Sequence, residues 1–256
     1  MNSMRYEATT DIQPAVFVHI QKTAGTSIVD LARHYYGENM TSHGDHVGRS
    51  VTEFMNTGFV SGHFGYEFAK PLMKDRYSFT FLRDPVDRIL SFYYYCRSRS
   101  PDEFPMCRFA QEHNLEDFLR AGFSDPVVKT RIWNNQTWQL AFGYANPEKK
   151  HPNAFDPEEL LSLARKHLDA FSHVGFTQTF EQDRNTILRA LRIPVPDAKI
   201  ESNANKARKS VSDISPEAVR LLADLTELDR ALYAYAWDKS HLGLFQRLLN
   251  RVKAAF

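Results

Sequence analysis

The run Ala15-Val16-Phe17-Val18-His19-Ile20 is almost wholly apolar and has the length of a buried strand. A small polar turn, Gln21-Lys22-Thr23-Ala24-Gly25-Thr26-Ser27, follows it, and Ile28, Leu31, Ala32 and Tyr35 then recur at helical spacing until Gly37. The first unit therefore reads strand, tight loop, helix. Further strands are predicted at 58–62, 77–82 and 173–176. Arg83-Asp84-Pro85 breaks the strand before it and opens a helix over 86–97, with Asp84 as N-cap and Pro85 in the first turn. Residues 98–113 read as a charged loop, and helices are predicted at 115–121, 134–142, 157–168 and 180–191, with 143–155 a linker. A long helix opens at Ser215-Pro216-Glu217 and runs to about 237, and a short amphipathic one follows at 241–255. Its stripe of Leu242, Phe245, Leu248, Leu249 and Val252 suits a core-facing side or a homodimer contact. Strands alternating with helices predict an α/β domain, its central, mostly parallel sheet flanked by helices. Residues 1–14 read as an extension and 15–256 as one domain.

Composition narrows the function classes. A 256-residue chain with 43% hydrophobic and 25% charged residues is ordinary for a globular protein. Its net charge of +1 provides no field to draw it to nucleic acid or a membrane surface. Any anion site must be built locally, from Lys, Arg and backbone N–H groups. No window approaches the roughly 18 apolar residues of a membrane span, and residues 1–14 have no signal-peptide core. A cytoplasmic location is expected, or a Golgi-luminal one if the chain is a piece of a longer protein. Cys96 and Cys107 lie close together and read as free thiols, without the spacing of a zinc site.

The loop after the first strand carries the candidate chemistry. Small residues at Ala24 and Gly25 let the backbone approach an anion, and the following helix adds its open N–H groups and positive dipole end. Thr26 and Ser27 can cap that helix or donate to phosphate oxygens, and Lys22 supplies a mobile charge. The motif is not G-x-x-x-x-G-K-[ST], because Lys22 precedes Gly25.

F-V-H-I-Q-K-T-A-G-T-S resembles the 5′-phosphosulfate loop of the sulfotransferases that use 3′-phosphoadenosine 5′-phosphosulfate (PAPS). The Q-K-T form is most similar to the branch of the heparan sulfate 2-O- and 6-O-sulfotransferases and their bacterial relatives. F-T-F-L-R-D-P-V-D-R-I-L-S-F-Y-Y-Y resembles that branch's 3′-phosphate strand and helix. Weaker likeness continues through G-H-F, N-N-Q-T-W-Q-L, V-G-F-T-Q-T-F and L-D-R-A-L-Y-A-Y-A, so that it spans roughly residues 15–237. The resemblance implies a P-loop-like three-layer fold, PAPS as co-substrate, adenosine 3′,5′-bisphosphate (PAP) as product and no metal. It implies that Gln21, Lys22, Thr23, Ala24, Gly25, Thr26 and Ser27 hold the 5′ end, and that Arg83 and Ser91 hold the 3′-phosphate. Thr177 is carried over for the adenine, and Arg208, Lys209 and Ser210 for a basic loop over the 3′-phosphate.

Sulfuryl transfer to an alcohol needs a base, an aligned oxygen and a cation at the leaving phosphate. Lys22 suits the last. His63, in S-G-H-F-G-Y-E, falls just past a predicted strand end between two glycines and suits the first, with Glu67 as runner-up. His19 reads as a buried, hydrogen-bonded strand residue, and His43 and His46 as part of a surface or acceptor-side loop. Arg88 reads as a surface residue or a partner of Asp84, and Tyr93, Tyr94 and Tyr95 as helix-to-sheet packing. The acceptor is expected to be a hydroxyl of a glycan or glycoconjugate. Competing readings are a P-loop kinase or nucleotide hydrolase, and a non-catalytic nucleotide-binding module.

Overall fold

A computed structural model describes residues 12–144, 152–196 and 211–253. Five strands, β1 (Ala15–Val18), β2 (Met40–Thr41), β3 (Phe59–Gly62), β4 (Tyr77–Leu82) and β5 (His173–Phe176), form a sheet of order β2-β3-β1-β4-β5. Every pairing in it is parallel. Helices α1 (Gly25–Tyr36), α2 (Tyr66–Met73) and α3 (Pro85–Arg97) follow β1, β3 and β4 directly. Then come α4 (Pro105–Glu112), α5 (Leu115–Ser124), α6 (Pro126–Ile132), α7 (Asn135–Ala141) and α8 (Pro157–Leu168). After β5 lie α9 (Phe180–Ala190), α10 (Pro216–Leu225) and α11 (Glu227–Lys253).

Both faces of the sheet are covered, so β1 is a continuous apolar run and the polar Ser61 of β3 and Ser78 and Thr80 of β4 are buried as well. On one face Val16, Val18, Val60 and Leu82 pack against Leu72 of α2, Trp138 of α7, Leu160 of α8 and Leu232 of α11. On the other, Phe17, Phe59, Phe79 and Phe81 pack against Ile28 of α1 and Leu188 of α9. A separate cluster joins α3 to α4, α5, α6 and α10 through Ile89, Phe92, Cys107, Phe118, Ile132 and Leu222.

Several elements differ from the sequence-based expectation. The charged segment 98–113 holds α4, which starts at Pro105 and buries Met106, Cys107 and Ala110 while Arg108 and Glu112 stay exposed. Its apolar stripe is only two turns long and is masked by the charges around it. The long helix expected from 216 breaks at Thr226. There the Thr226 hydroxyl donates to Leu222 O and the Asn134 amide to Leu225 O, diverting the carbonyls a continuing helix needs. The next helix runs unbroken from Glu227 to Lys253. Side chains from Leu242 onward, including the expected stripe, lie outside the described residues.

Arg88 is not on the surface. It is 0% exposed, placed between α3 and α6 where its Nη2 donates to Arg131 O at 2.8 Å, and Asp229 of α11 supplies the opposing charge. Tyr93 packs among helices, its ring tilted against Phe118, and not on the sheet. Cys96 and Cys107 are buried free thiols facing each other between α3 and α4, and burial pushes the Cys96 thiol up to about 12. No helix among the described residues is long and apolar enough to cross a membrane.

Candidate active site

Parallel pairing brings the carboxyl ends of β1, β3, β4 and β5 to one rim, with Val18 level with Gly62 and Thr80, and Leu82 level with Phe176. The loops that leave this rim carry Lys22, His63, Arg83 and Thr177. In open parallel sheets, the crevice beside such a rim is where ligands bind.

The loop from β1 to α1 is wound tightly. Lys22 and Ala24 both adopt left-handed backbone angles, with φ of 69° and 67°. Non-glycine residues hold that conformation at a cost of roughly 1–3 kcal/mol each, and only where surroundings enforce it. Here Thr23 supplies the anchor: it is buried, and its hydroxyl donates to Ile20 O at 2.8 Å. That hydroxyl hydrogen is thus used internally.

Gly25 opens α1, and a Cβ there would lie 2.0 Å from His19 Nε2. The glycine is demanded by the imidazole beneath the loop. Ala24 occupies the N-cap position and no side chain caps the helix, although Thr26 and Ser27 were expected to be able to. The N–H groups of the first turn of α1 therefore have no side-chain cap, the usual setting for an anion.

Two cations converge on this loop. The half-buried Arg83, at the end of β4, donates from Nη1 to Lys22 O at 3.0 Å. Lys22 Nζ sits 3.7 Å from the centre of the Tyr95 ring, and the Arg99 guanidinium lies 4.8 Å from the same ring. Burial lowers Lys22 to about 8, and the neighbouring Arg83 and Arg99 charges push it the same way. Ser91 is half-buried, two turns into the α3 helix that Arg83 precedes.

His63 follows β3. Its Nδ1 lies 2.8 Å from His19 O, and because a carbonyl only accepts, Nδ1 carries the hydrogen and Nε2 keeps its lone pair. Burial drives its pKa down to about 4, opposed by the bond to His19 and assisted by the charge of His43. The rings of His19 and His63 lie 4.5 Å apart. His19 itself sits just past β1 and is buried as expected, yet its Nδ1 has no hydrogen-bond partner among the described residues.

His43 is exposed, 5.9 Å from the His63 ring, while His46 is buried against Phe64 and Phe68. Glu67, in the first turn of α2, acts electrostatically on His167 and Tyr66 and is not among the charges that shift His63. Thr177 donates its amide to Leu82 O, one residue before Arg83. Arg208, Lys209 and Ser210 lie outside the described residues.

Some contributors lie in the stretch of weaker likeness N-N-Q-T-W-Q-L, which assigns them no role. Gln136 and Gln139 of α7 grip the backbone at Arg83, His19 and Phe64. Both looked like ordinary polar residues of a helix. Tyr95 was legible only as packing.

A tight strand-to-helix turn, an uncapped helix start and a lysine and an arginine meeting over them define an α/β domain of the phosphate-loop class. The chain matches the model of the sulfotransferase family over residues 8–236 and belongs to that family. Sulfotransferases of this kind draw their sulfuryl group from PAPS and release PAP. No curated protein matches the chain in sequence. Among solved structures, mouse sulfotransferase SULT7A1 complexed with PAP is similar at 13% identity and a TM-score of 0.46, covering 88% of this chain and 89% of that one.

Proposed function

We propose that this sulfotransferase transfers the sulfuryl group of PAPS to a hydroxyl of a carbohydrate or glycoconjugate, with His63 as base and Lys22 at the leaving phosphate. The observation that carries the proposal is the 3.0 Å hydrogen bond from Arg83 to the Lys22 carbonyl. It supports one pocket in which the β1–α1 loop, from Gln21 to Ser27, holds the 5′ end and Arg83 with Ser91 holds the 3′-phosphate. The resemblance carries Thr177 over for the adenine, and Arg208, Lys209 and Ser210 for the 3′-phosphate.

His63 Nε2 accepts the hydroxyl proton as the acceptor oxygen bonds to sulfur and the sulfur–oxygen bond to the phosphate breaks. Lys22 leaves Tyr95 to meet the charge developing on that phosphate oxygen. A base with a pKa of about 4 is weak. The sulfonate and phosphates brought beside it raise its basicity by favouring the imidazolium. His63 is preferred to Glu67 because its Nδ1 bond to His19 O leaves Nε2 as a defined acceptor at the rim. The carbohydrate acceptor rests on the likeness of Q-K-T-A-G-T-S to the heparan sulfate branch.

The test combines calorimetry with turnover of labelled PAPS over a panel of glycans, glycolipids and small alcohols. Wild type is expected to bind PAP without a divalent ion and to sulfate a carbohydrate hydroxyl. His63→Ala should retain PAP binding and lose turnover. ATP with Mg²⁺ binding more tightly than PAP would point to a kinase or hydrolase instead. PAP binding without turnover on any acceptor would indicate a non-catalytic module.

A further inference from the structure

Helix α7 contributes nothing to the pocket by the usual criteria of charge or nucleophilicity. It is seven residues long, every one of them buried, and it starts from Asn134 in a left-handed conformation. A strained, fully buried polar helix needs a strong frame, and the structure supplies one. Asp229 of α11 accepts from the amides of Gln136 and Thr137, at 3.2 and 2.7 Å, and from the Thr137 hydroxyl at 2.8 Å. Asn134 Oδ1 returns the favour at α11, accepting from the amides of Leu228 and Asp229 at 2.9 and 3.1 Å. The two helices thus cap each other.

From this fixed base two side chains, three residues apart and so on one face, reach three loops of the rim. The Gln136 amide binds Arg83 on both sides: Oε1 accepts from the Arg83 amide and Nε2 donates to the Arg83 carbonyl, each at 3.0 Å. Gln139 Nε2 donates to His19 O at 3.1 Å and to Phe64 O at 2.9 Å. His19 O is the same oxygen that takes the His63 Nδ1 hydrogen. A Cβ on Gly65 would lie 1.8 Å from Phe142 O, so the end of α7 also presses directly on the turn after His63.

We infer that Gln136 and Gln139 are positioning residues with separate duties, Gln136 setting Arg83 for the 3′-phosphate and Gln139 setting His63 for proton transfer. Neither touches the reacting atoms. Gln136 fixes the peptide units from which the Arg83 guanidinium is aimed. Gln139 fixes His19 O and Phe64, which flank His63 in space and in sequence. The roles assigned to Arg83 and His63 are those of the preceding section, on which the functional half of this inference rests.

The two duties predict a split that general loosening of the fold would not produce. In Gln136→Leu, which keeps bulk and removes both hydrogen bonds, the dissociation constant for PAP should rise about tenfold to a hundredfold, with turnover at saturating PAPS falling less. In Gln139→Leu, PAP affinity should stay at the wild-type value while turnover falls by about tenfold or more. Amide hydrogen exchange gives a readout independent of any nucleotide. The Arg83 amide should lose protection in Gln136→Leu and keep it in Gln139→Leu. Where leucine prevents folding, Gln136→Asn, which keeps a neutral amide on a side chain one methylene shorter, should show the same loss of PAP affinity at lower strength. Equal loss of affinity and turnover in both variants, or an Arg83 amide as protected in folded Gln136→Leu as in wild type, would overturn the inference. Failure of the wild type to bind PAP would remove the nucleotide reading, while exchange at Arg83 would still decide what Gln136 holds.

Discussion

Lys22 is the most heavily loaded residue of the site. Its backbone is left-handed, its carbonyl is taken by Arg83, and its ammonium rests on Tyr95 with a pKa of about 8. The lowering comes first from burial and then from Arg83 and Arg99, so an incoming anion relieves the repulsion among these cations. A bound anion raises the lysine's pKa, and binding above about pH 8 therefore requires proton uptake. Affinity for PAP should be level below that pH and fall above it, by up to about tenfold per pH unit. Calorimetry at pH 7 and pH 9 measures this, and Lys22→Met should flatten the profile; a flat wild-type profile would refute it. The positions of Lys22, Arg83 and His63 were legible because each follows an apolar strand-length run at a small or breaking residue. Gly25 was legible only as a small residue that lets the backbone approach an anion, and the His19 ring that leaves no room for a Cβ became visible only once β1 was folded beneath the loop.

At the scale of elements, the α3–α7–α11 junction holds the frame. Arg88 and Asp229 are buried there, burial pushing the arginine's pKa down and the aspartate's up while each charge favours the other. Removing the Arg88 charge leaves Asp229 with its hydrogen bonds to α7 but without the cation that favours its ionised form. Arg88→Met should cost roughly 1–3 kcal/mol in urea unfolding. Asp229→Asn keeps an acceptor for α7 while removing the charge, so adding it to Arg88→Met should recover part of that loss. Additive effects in the double variant would mean the two do not interact. This junction was illegible in sequence because Arg88, in D-P-V-D-R, sits among acidic neighbours that offer an ordinary surface pairing, and its partner is far along the chain. By contrast α8 was readable at its true bounds. Asp156 and Pro157 form a cap and first turn, and Asp156 accepts from the amides of Glu158 and Glu159. Helix α6 escaped notice because only Val128 and Ile132 of its seven residues are buried.

For the whole molecule, the parallel sheet followed from alternating strands and helices, and the shared rim from that. What could not follow was which distant helix would support the rim. The sheet also carries a titration liability. His63 is held near pH 4 and His19 well below its ordinary value, both mainly by burial. Their folded pKa values lie below the unfolded value near 6.5, so the unfolded chain takes up more protons as pH falls from about 6.5 to 4. Stability is therefore full above 6.5 and declines through that window, on the order of a few kcal/mol in all. Melting curves between pH 7 and 4 should show the decline, and His63→Gln should make it shallower. An unchanged slope in that variant would assign the loss to other groups.

The mutual capping of α7 and α11 separates tools from workbench. Lys22, His63, Arg83 and Ser91 all lie in the first 91 residues, whereas the carboxylate that steadies α7 belongs to residue 229. A polypeptide released before its last helix would carry the groups proposed to react without the carboxylate that steadies α7, so the newly made amino-terminal stretch should stay inert until synthesis has passed Asp229.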